Sequence, residues 1–299
     1  AMLSATGTPG STTFLRGDNS WATVSAGVET NLTATSNIGL GANAVNSITT
    51  GDYNVGLGDN ALTATTEGSY NTAQGFEALK ANTTANNNAA FGYQALKANT
   101  TGANNVSVGI YSLLTNTTGS ENIAVGRSVL EANTTGGGNV AMGYKALRLN
   151  TTAANNVAIG ATTLYDNTTG AYNVAIGKSA LANNTTADYN TAVGGLSLTA
   201  NTTGHSNTAL GLNASASNTT GDYNTSSGYG ALYSATTADS NSAFGRRALY
   251  NTTTGAKNTA VGAESLDANT TGANNVSVGY RSLYQNTTGA ANGAFGYQT

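Results

Sequence analysis

The sequence predicts an all-β protein, a parallel β-solenoid of 17-residue coils assembled as a parallel homotrimer. Three observations carry that expectation. One unit repeats every 17 residues from Asn37 to Ala291, fifteen times without insertion or deletion, and a partial sixteenth runs to Thr299. The composition is also unusual. Of 299 residues, 38 Gly, 40 Asn and 50 Thr supply about two fifths, and only 8% are charged. So little charge excludes a coiled coil or a charge-rich disordered tail, and so much Gly and Asn disfavours helix. Finally, large and small residues alternate at the start of each unit with the two-residue period of a strand.

The unit reads N-[VIT]-A-[VIL]-G-x-x-A-L-x-x-N-T-T-G-x-x. A strict period means that each unit makes the same closed excursion and stacks on the last, since one inserted residue would push every later side chain out of its layer. Positions 1 to 5 are the first strand, as in Asn173-Val174-Ala175-Ile176-Gly177. Position 1 is Asn and position 5 is Gly in all sixteen occurrences, and position 3 is always Gly, Ala or Ser. The residues at 2 and 4 share one face and the small residue at 3 takes the other. A second short extended piece is expected at positions 8 and 9, where Leu fills position 9 in thirteen of fifteen units, with Val45 and Ser215 as exceptions. Asn-Thr-Thr-Gly at 12 to 15 is turn chemistry, with Asn bonding nearby backbone and Gly free to take positive φ. Asn at positions 1 and 12 is expected to form ladders along the stack. At about 4.8 Å per coil, fifteen coils make a rod roughly 70 Å long.

Energetics bear on assembly. Ordering 17 backbones costs on the order of 17 to 34 kcal/mol per coil, whereas three buried aliphatics, at positions 2, 4 and 9, return about 5 to 9. So thin a core predicts an obligate oligomer, with the small row at position 3 as the surface for close approach of other chains. The alternative is that the small row lets the two sides of one coil collapse onto each other. Residues 1–36 lie outside the repeat and hold the only Trp and the only Pro. They read as an N-terminal cap or shaft-junction module, and 37–299 as the repeat domain.

Asn-Val-Ala-Ile-Gly at 156–160 and 173–177 resembles the strand motif of trimeric autotransporter adhesin heads. Those heads are left-handed parallel β-rolls that associate as trimers, and the resemblance, covering 37–299, implies that handedness and assembly here. Upstream, Phe14-Leu15-Arg16-Gly17-Asp18-Asn19-Ser20-Trp21 is similar to a segment frequent in phage tail fibres and related bacterial surface fibres, with Asn19 in place of the usual Gly. By that likeness the chain is expected to continue past Thr299 into a tip or trimerisation module, and to stand outside the cell or on a virion surface.

Chemistry-bearing residues are sparse. There is no Cys and one His, His205, in a turn, so no nucleophile–base constellation is assigned and no catalytic residue, metal or cofactor is expected. Asp222 and Asp239 share position 16 on consecutive coils, a placement compatible with a retaining glycosidase pair or a cation site, or with two solvated turn residues. The Ca²⁺-binding nonapeptide is absent. Tyr recurs at position 6 in Tyr93, Tyr144, Tyr229, Tyr280 and Tyr297, and at position 17 in Tyr53, Tyr70, Tyr172, Tyr189 and Tyr223. The position-17 row is the candidate ligand-binding surface, each ring offering an apolar face and a polar tip to a sugar. Lys and Arg are spread over positions 6, 7 and 10, with Arg246-Arg247 the one adjacent pair, so no basic stripe is expected. With a net charge of −3 and no apolar run of membrane length, neither nucleic acid nor membrane insertion is expected. Arg16-Gly17-Asp18 and the twelve Asn-Thr-Thr triplets are read as incidental to the fibre and ladder patterns.

The functional expectation is a structural and adhesive segment of an extracellular trimeric fibre, contributing to binding of a host-cell surface receptor, glycan or protein. Two alternatives compete. One is an ice-binding solenoid using the Thr rows at positions 13 and 14, although adjacent Thr residues on a strand would face opposite ways. The other is a polysaccharide-degrading tailspike using Asp222 and Asp239.

Overall fold

A computed structural model of the chain describes residues 36–299 together with the backbone of two short upstream strands. Those two, β1 (Thr13–Leu15) and β2 (Trp21–Thr23), pair antiparallel. The expected cap or junction role of residues 1–36 otherwise lies outside the described residues. From β3 (Ile38–Leu40) to β18 (Gly293–Phe295), sixteen three-residue strands form one parallel sheet in sequence order. Register between neighbours is 17 residues throughout, as in Ala158 against Ala175. The solenoid and its period are therefore as the repeat predicts.

The face assignment follows the alternative, in which the small row lets the two sides of one coil close on each other, and corrects the expectation of large residues at positions 2 and 4 in the core. Position 3 lies in the interior: Ala73, Ala124, Ala158, Ala192 and Ala243 are fully buried, packed in a column with Ala at position 8 and Leu at position 9. Positions 2 and 4 point outward, so Ile38, Leu40, Val106, Ile123, Met142 and Ile176 are exposed. The coil is too thin to hold large residues on both of its sides. With Leu entering from position 9, the opposing strand contributes a methyl group or less.

The second strand is also corrected. Positions 8 and 9 both turn into the one interior column, whereas adjacent residues of a strand point to opposite sides. The chain turns there instead, with positions 7 and 9 in the left-handed region. Leu113 and Leu164 both have φ of 50°. An L-residue in that region costs roughly 1–2 kcal/mol, offset by burying each Leu and by its amide, which donates to the next coil; Leu113 N reaches Val129 O at 3.0 Å. Gly at position 5 is required for two reasons. Gly92 has φ of 140°, and a Cβ there would lie 2.6 Å from the Gly109 carbonyl oxygen of the coil above.

Two Asn ladders bind the coils as expected. At position 1, Asn71 donates its backbone N–H and its Nδ2 to Asn54 Oδ1, both at 3.0 Å, and this pattern of backbone N–H to Oδ1 holds from Asn37 to Asn292. At position 12, Asn99 Nδ2 donates to Asn82 Oδ1 at 3.2 Å. The two ladders meet, since Asn88 and Asn99 both donate to the Gly102 carbonyl at 2.9 Å. Thr at position 13 adds a third tie, Thr117 Oγ1 donating to Thr134 O at 3.0 Å.

The column has one fault, across coils 207–240. Ser215 stands where Leu is expected, and its Oγ bonds the Oγ of buried Ser226 at 2.8 Å. The apolar core divides there into one cluster ending at Ala214 and another starting at Ala231. Ala235 also interrupts the position-12 ladder, leaving buried Asn218 Oδ1 without a hydrogen-bond partner. Restoring the pattern with Ser215→Leu and Ser226→Ala is expected to add about 1.5–3 kcal/mol of stability, and Ala235→Asn about 1 kcal/mol. Thermal unfolding measures the gain. Hydrogen exchange on the unaltered chain is expected to find amides of 207–240 the least protected of the inner coils.

Candidate functional site

Each coil presents three kinds of outer surface, and each owes its character to the local backbone. The first is the outer face of the sheet. Alternation along each strand sends positions 2 and 4 the same way, and in-register stacking lines them up in an apolar band. Phe91, Val108, Ile159, Leu210, Phe244 and Val261 lie on it, all exposed. Thr72 with Gln74 and Thr225 with Ser227 make two strands polar at both positions, and Thr191, Thr208, Ser242 and Thr259 are polar at position 2 alone. Sequence reading placed these side chains in the core, because alternation distinguishes two faces without saying which is inside.

The second surface is the turn at positions 16 and 17, where the candidate Tyr row lies. Tyr53, Tyr70, Tyr172, Tyr189 and Tyr223 are all exposed, between 53% and 60%. They form separate patches. Tyr53 stacks on Tyr70 with ring centroids 5.1 Å apart and Tyr172 on Tyr189 at 5.4 Å, while Tyr223 meets the edge of His205 at 5.0 Å. Asp222 and Asp239 occupy the same turn as backbone acceptors: Asp239 Oδ1 takes the Asp222 N–H, and Asp222 Oδ1 takes the His205 N–H, each at 2.8 Å. His205 Nε2 also lies 3.3 Å from Asp222 Oδ2. Asp188 does the same for Ala171 N, so these carboxylates continue a structural row. Among the described residues no group of three His, Asp or Glu is placed to hold a metal ion, and no helix is long and apolar enough to cross a membrane. Of the two Thr rows, position 13 spends its hydroxyls on the stack, leaving position 14 as a single exposed row, Thr101 and Thr118 among it.

The third surface is the turn at positions 6, 7 and 10. Nine of the ten Lys and Arg in residues 37–299 fall on these positions. The positions look scattered in sequence, but the left-handed residues at 7 and 9 fold them into one edge, where the cations mix with Asp59, Glu77, Glu131, Glu264 and Asp267 into a paired, weakly cationic surface and not a basic stripe. The signal was present as the clustering of these residues at three positions; the turn that joins them was not. Several cations here stand over carboxylates that are nearly buried. Glu77 is gripped by Lys80 and Lys97, each at 2.7 Å, and by Gln94 at 2.8 Å. Glu264 is held between Arg246 and Arg281, and Asp267 accepts from Arg247 Nε at 3.0 Å. A shallow apolar groove of about 620 Å³ runs beside Glu77, bordered by Lys80, Lys97 and Leu114 over Ala81 and Ala98.

The Lys80 ammonium, joined by that of Lys97, holds the Glu77 carboxyl down to about 2 against the opposing effect of burial. Arg281 likewise lowers Glu264, and Asp267 raises the Arg247 guanidinium.

No protein-family model, curated protein or solved structure matches the chain. The surfaces themselves are therefore the basis for a functional reading.

Because the Glu77 carboxyl is lowered in the folded chain, its stabilisation is complete above the unfolded value near 4.5 and is lost as pH falls toward 2. The difference in melting temperature between the unaltered chain and Glu77→Gln is expected to be largest above about pH 5 and to shrink steadily on acidification.

Proposed function

We propose that this chain is a structural and adhesive segment of an extracellular trimeric fibre, of the adhesin or phage-tail-fibre kind, which contributes to binding of a glycan receptor on a host-cell surface. One observation carries the reading: the unbroken stack of sixteen strands sends its large apolar residues outward, at positions 2 and 4. The band is about 10 Å wide and about 70 Å long, with an apolar residue at position 4 in fourteen of the sixteen strands and Thr or Ser at position 2 in six of the sixteen. It is straight, parallel to the stack and repeats every coil, so the partner that matches it layer for layer is another copy of the same chain. Three copies with their bands on a common axis bury all three at once. The assembled rod then has its core in two parts, a narrow Ala–Leu column in each chain and a shared apolar centre. This differs from the close approach through position 3 that composition suggested, and it relieves the same shortage of buried surface.

Rigidity follows from the ladders, and rigidity is what a projecting fibre needs. Among the described residues every coil from Asn37 onward is tied to the next through backbone and Asn side chains, and the position-1 ladder runs unbroken even through the fault at 207–240. Exposed Tyr pairs at position 17 supply flat faces of the kind that stack on sugar rings. Gln74 and Ser227, the two polar residues at position 4, favour one alignment of copies, because a shifted pairing sets them against apolar layers.

Light scattering on the purified chain is the deciding experiment. The expected molar mass is about three times the 29.8 kDa of one chain. Ile159→Glu, placing charge in the band without touching the inner column, is expected to lower that mass toward one chain while the β-sheet signal in circular dichroism persists. A monomer for the unaltered chain would overturn the trimer reading.

A further inference from the structure

Over coils 12 to 15 the edge combines three arginines with tyrosines. There Arg246 and Arg247, on one coil, and Arg281, two coils on, lie among Tyr233, Tyr250, Tyr280 and Tyr284. Tyr233 stacks on Tyr250 with centroids 5.1 Å apart, and the Arg247 guanidinium lies 4.2 Å from the Tyr250 ring centre. Arg281 lies 5.2 Å from the Tyr280 ring and 5.1 Å from that of Tyr284. Gly230 makes room for this arrangement, since a Cβ there would stand 3.1 Å from Tyr250 Cε2. Beneath the guanidiniums, the side chains of Glu264 and Asp267 are only 9% and 5% exposed.

This is a braced surface. The buried carboxylates hold the guanidiniums in fixed planes, and each guanidinium keeps N–H donors to spare. Arg281 engages its carboxylate through Nε, Arg246 through Nη2, and Arg247 through Nε and Nη2, out of five donors each. Arg246 is the most open, its side chain 55% exposed. Fixed forks of donors suit a carboxylate, and adjacent Tyr rings suit the apolar face of a pyranose.

We propose that coils 12 to 15 carry a binding site for an acidic saccharide of the uronate type, its carboxylate taken by Arg246 and Arg281 and its ring resting against Tyr280 and Tyr284. The inference deepens the receptor-binding reading and rests on it only for biological context, since every residue named belongs to one chain. A second copy does not supply the anion. In a parallel, in-register neighbour, positions 16 and 17 of coils 13 to 15, level with the arginines, offer Ala256, Lys257, Ala273, Asn274, Ala290 and Ala291, none of them acidic, and the one acid of coil 12 at these positions, Asp239, already accepts the Asp222 N–H. A polynucleotide is a poorer match, because two carboxylates already offset most of the charge of the three guanidiniums and polyphosphate binding draws chiefly on uncompensated cations.

The test is titration calorimetry of the full chain with oligogalacturonate hexamer, with neutral maltohexaose and a single-stranded oligonucleotide as comparisons. Binding of the uronate is expected, at least tenfold tighter than of the neutral hexamer, and weakening several-fold when salt is raised from low to physiological strength. Arg246→Gln leaves Glu264 its partner Arg281, and Tyr284→Ala removes a half-exposed ring; each is expected to weaken uronate binding about tenfold with an unchanged melting temperature. Equal binding of the neutral hexamer, tighter binding of the oligonucleotide, no binding of uronate, or full binding by both variants would each overturn the site. Molar mass measured on the same samples keeps the two readings apart: a trimer that ignores uronate removes this site and leaves the fibre, and a monomer that binds it does the reverse.

Discussion

The structure depends on the Asn at position 1 of every coil. Its Oδ1 receives the backbone N–H of the corresponding Asn in the next coil, and its Nδ2 closes its own coil by bonding the carbonyl at position 15, as Asn54 does to Gly68 at 2.8 Å. One side chain therefore fixes both the circumference of the coil and its register on the neighbour. The geometry leaves no slack, because a residue added anywhere between positions 1 and 15 would part the amide from its carbonyl. Fifteen units without a length change are the sequence record of that bond. The amides are fully buried along most of the row, so each unmade bond would carry the desolvation cost of a buried polar group.

Closure at this circumference sets what the interior can hold. With Leu reaching in from the turn at position 9, only Ala, Ser or Gly stands opposite at position 3, position 8 holds Ala or Ser in every complete coil but those of buried Val129 and Thr163, and the remaining large aliphatics are left on the outside of the sheet. The apolar band is thus a consequence of a narrow coil, and the narrow coil a consequence of the ladder. The fault at 207–240 shows the same logic in reverse. Once Ser215 replaces Leu, the facing residue becomes Ser226, and two hydroxyls satisfy each other where aliphatic contact is lost.

Chemistry is confined to the two turns that flank the band. At positions 16 and 17 acidic side chains serve the backbone of the preceding coil and Tyr rings stand outside them. At positions 6, 7 and 10 cations lie over nearly buried carboxylates. Glu77, Glu264 and Asp267 each have cations within reach from more than one coil or from a neighbouring one, so these contacts also tie coils together. Surface ion pairs of this sort contribute little to stability individually. What they provide is orientation, fixing guanidiniums and ammoniums that would otherwise sample many rotamers.

The sequence by itself determined the period, the parallel stack, the ladders at positions 1 and 12, the turn at Asn-Thr-Thr-Gly and the exposure of the position-17 Tyr residues. Each of these follows from one residue type recurring at one position, which a single chain displays fifteen times over. Only the tertiary structure decided which side of the strand faces in, because alternation marks two faces and carries no sign. Only it placed Leu at a left-handed φ, a conformation that local preference disfavours and that burial and an inter-coil hydrogen bond make acceptable here. That same turn gathers positions 6, 7 and 10 onto one edge, so residues such as Arg247, Glu264 and Tyr250, unremarkable when read along the chain, become neighbours through the stacking of coils.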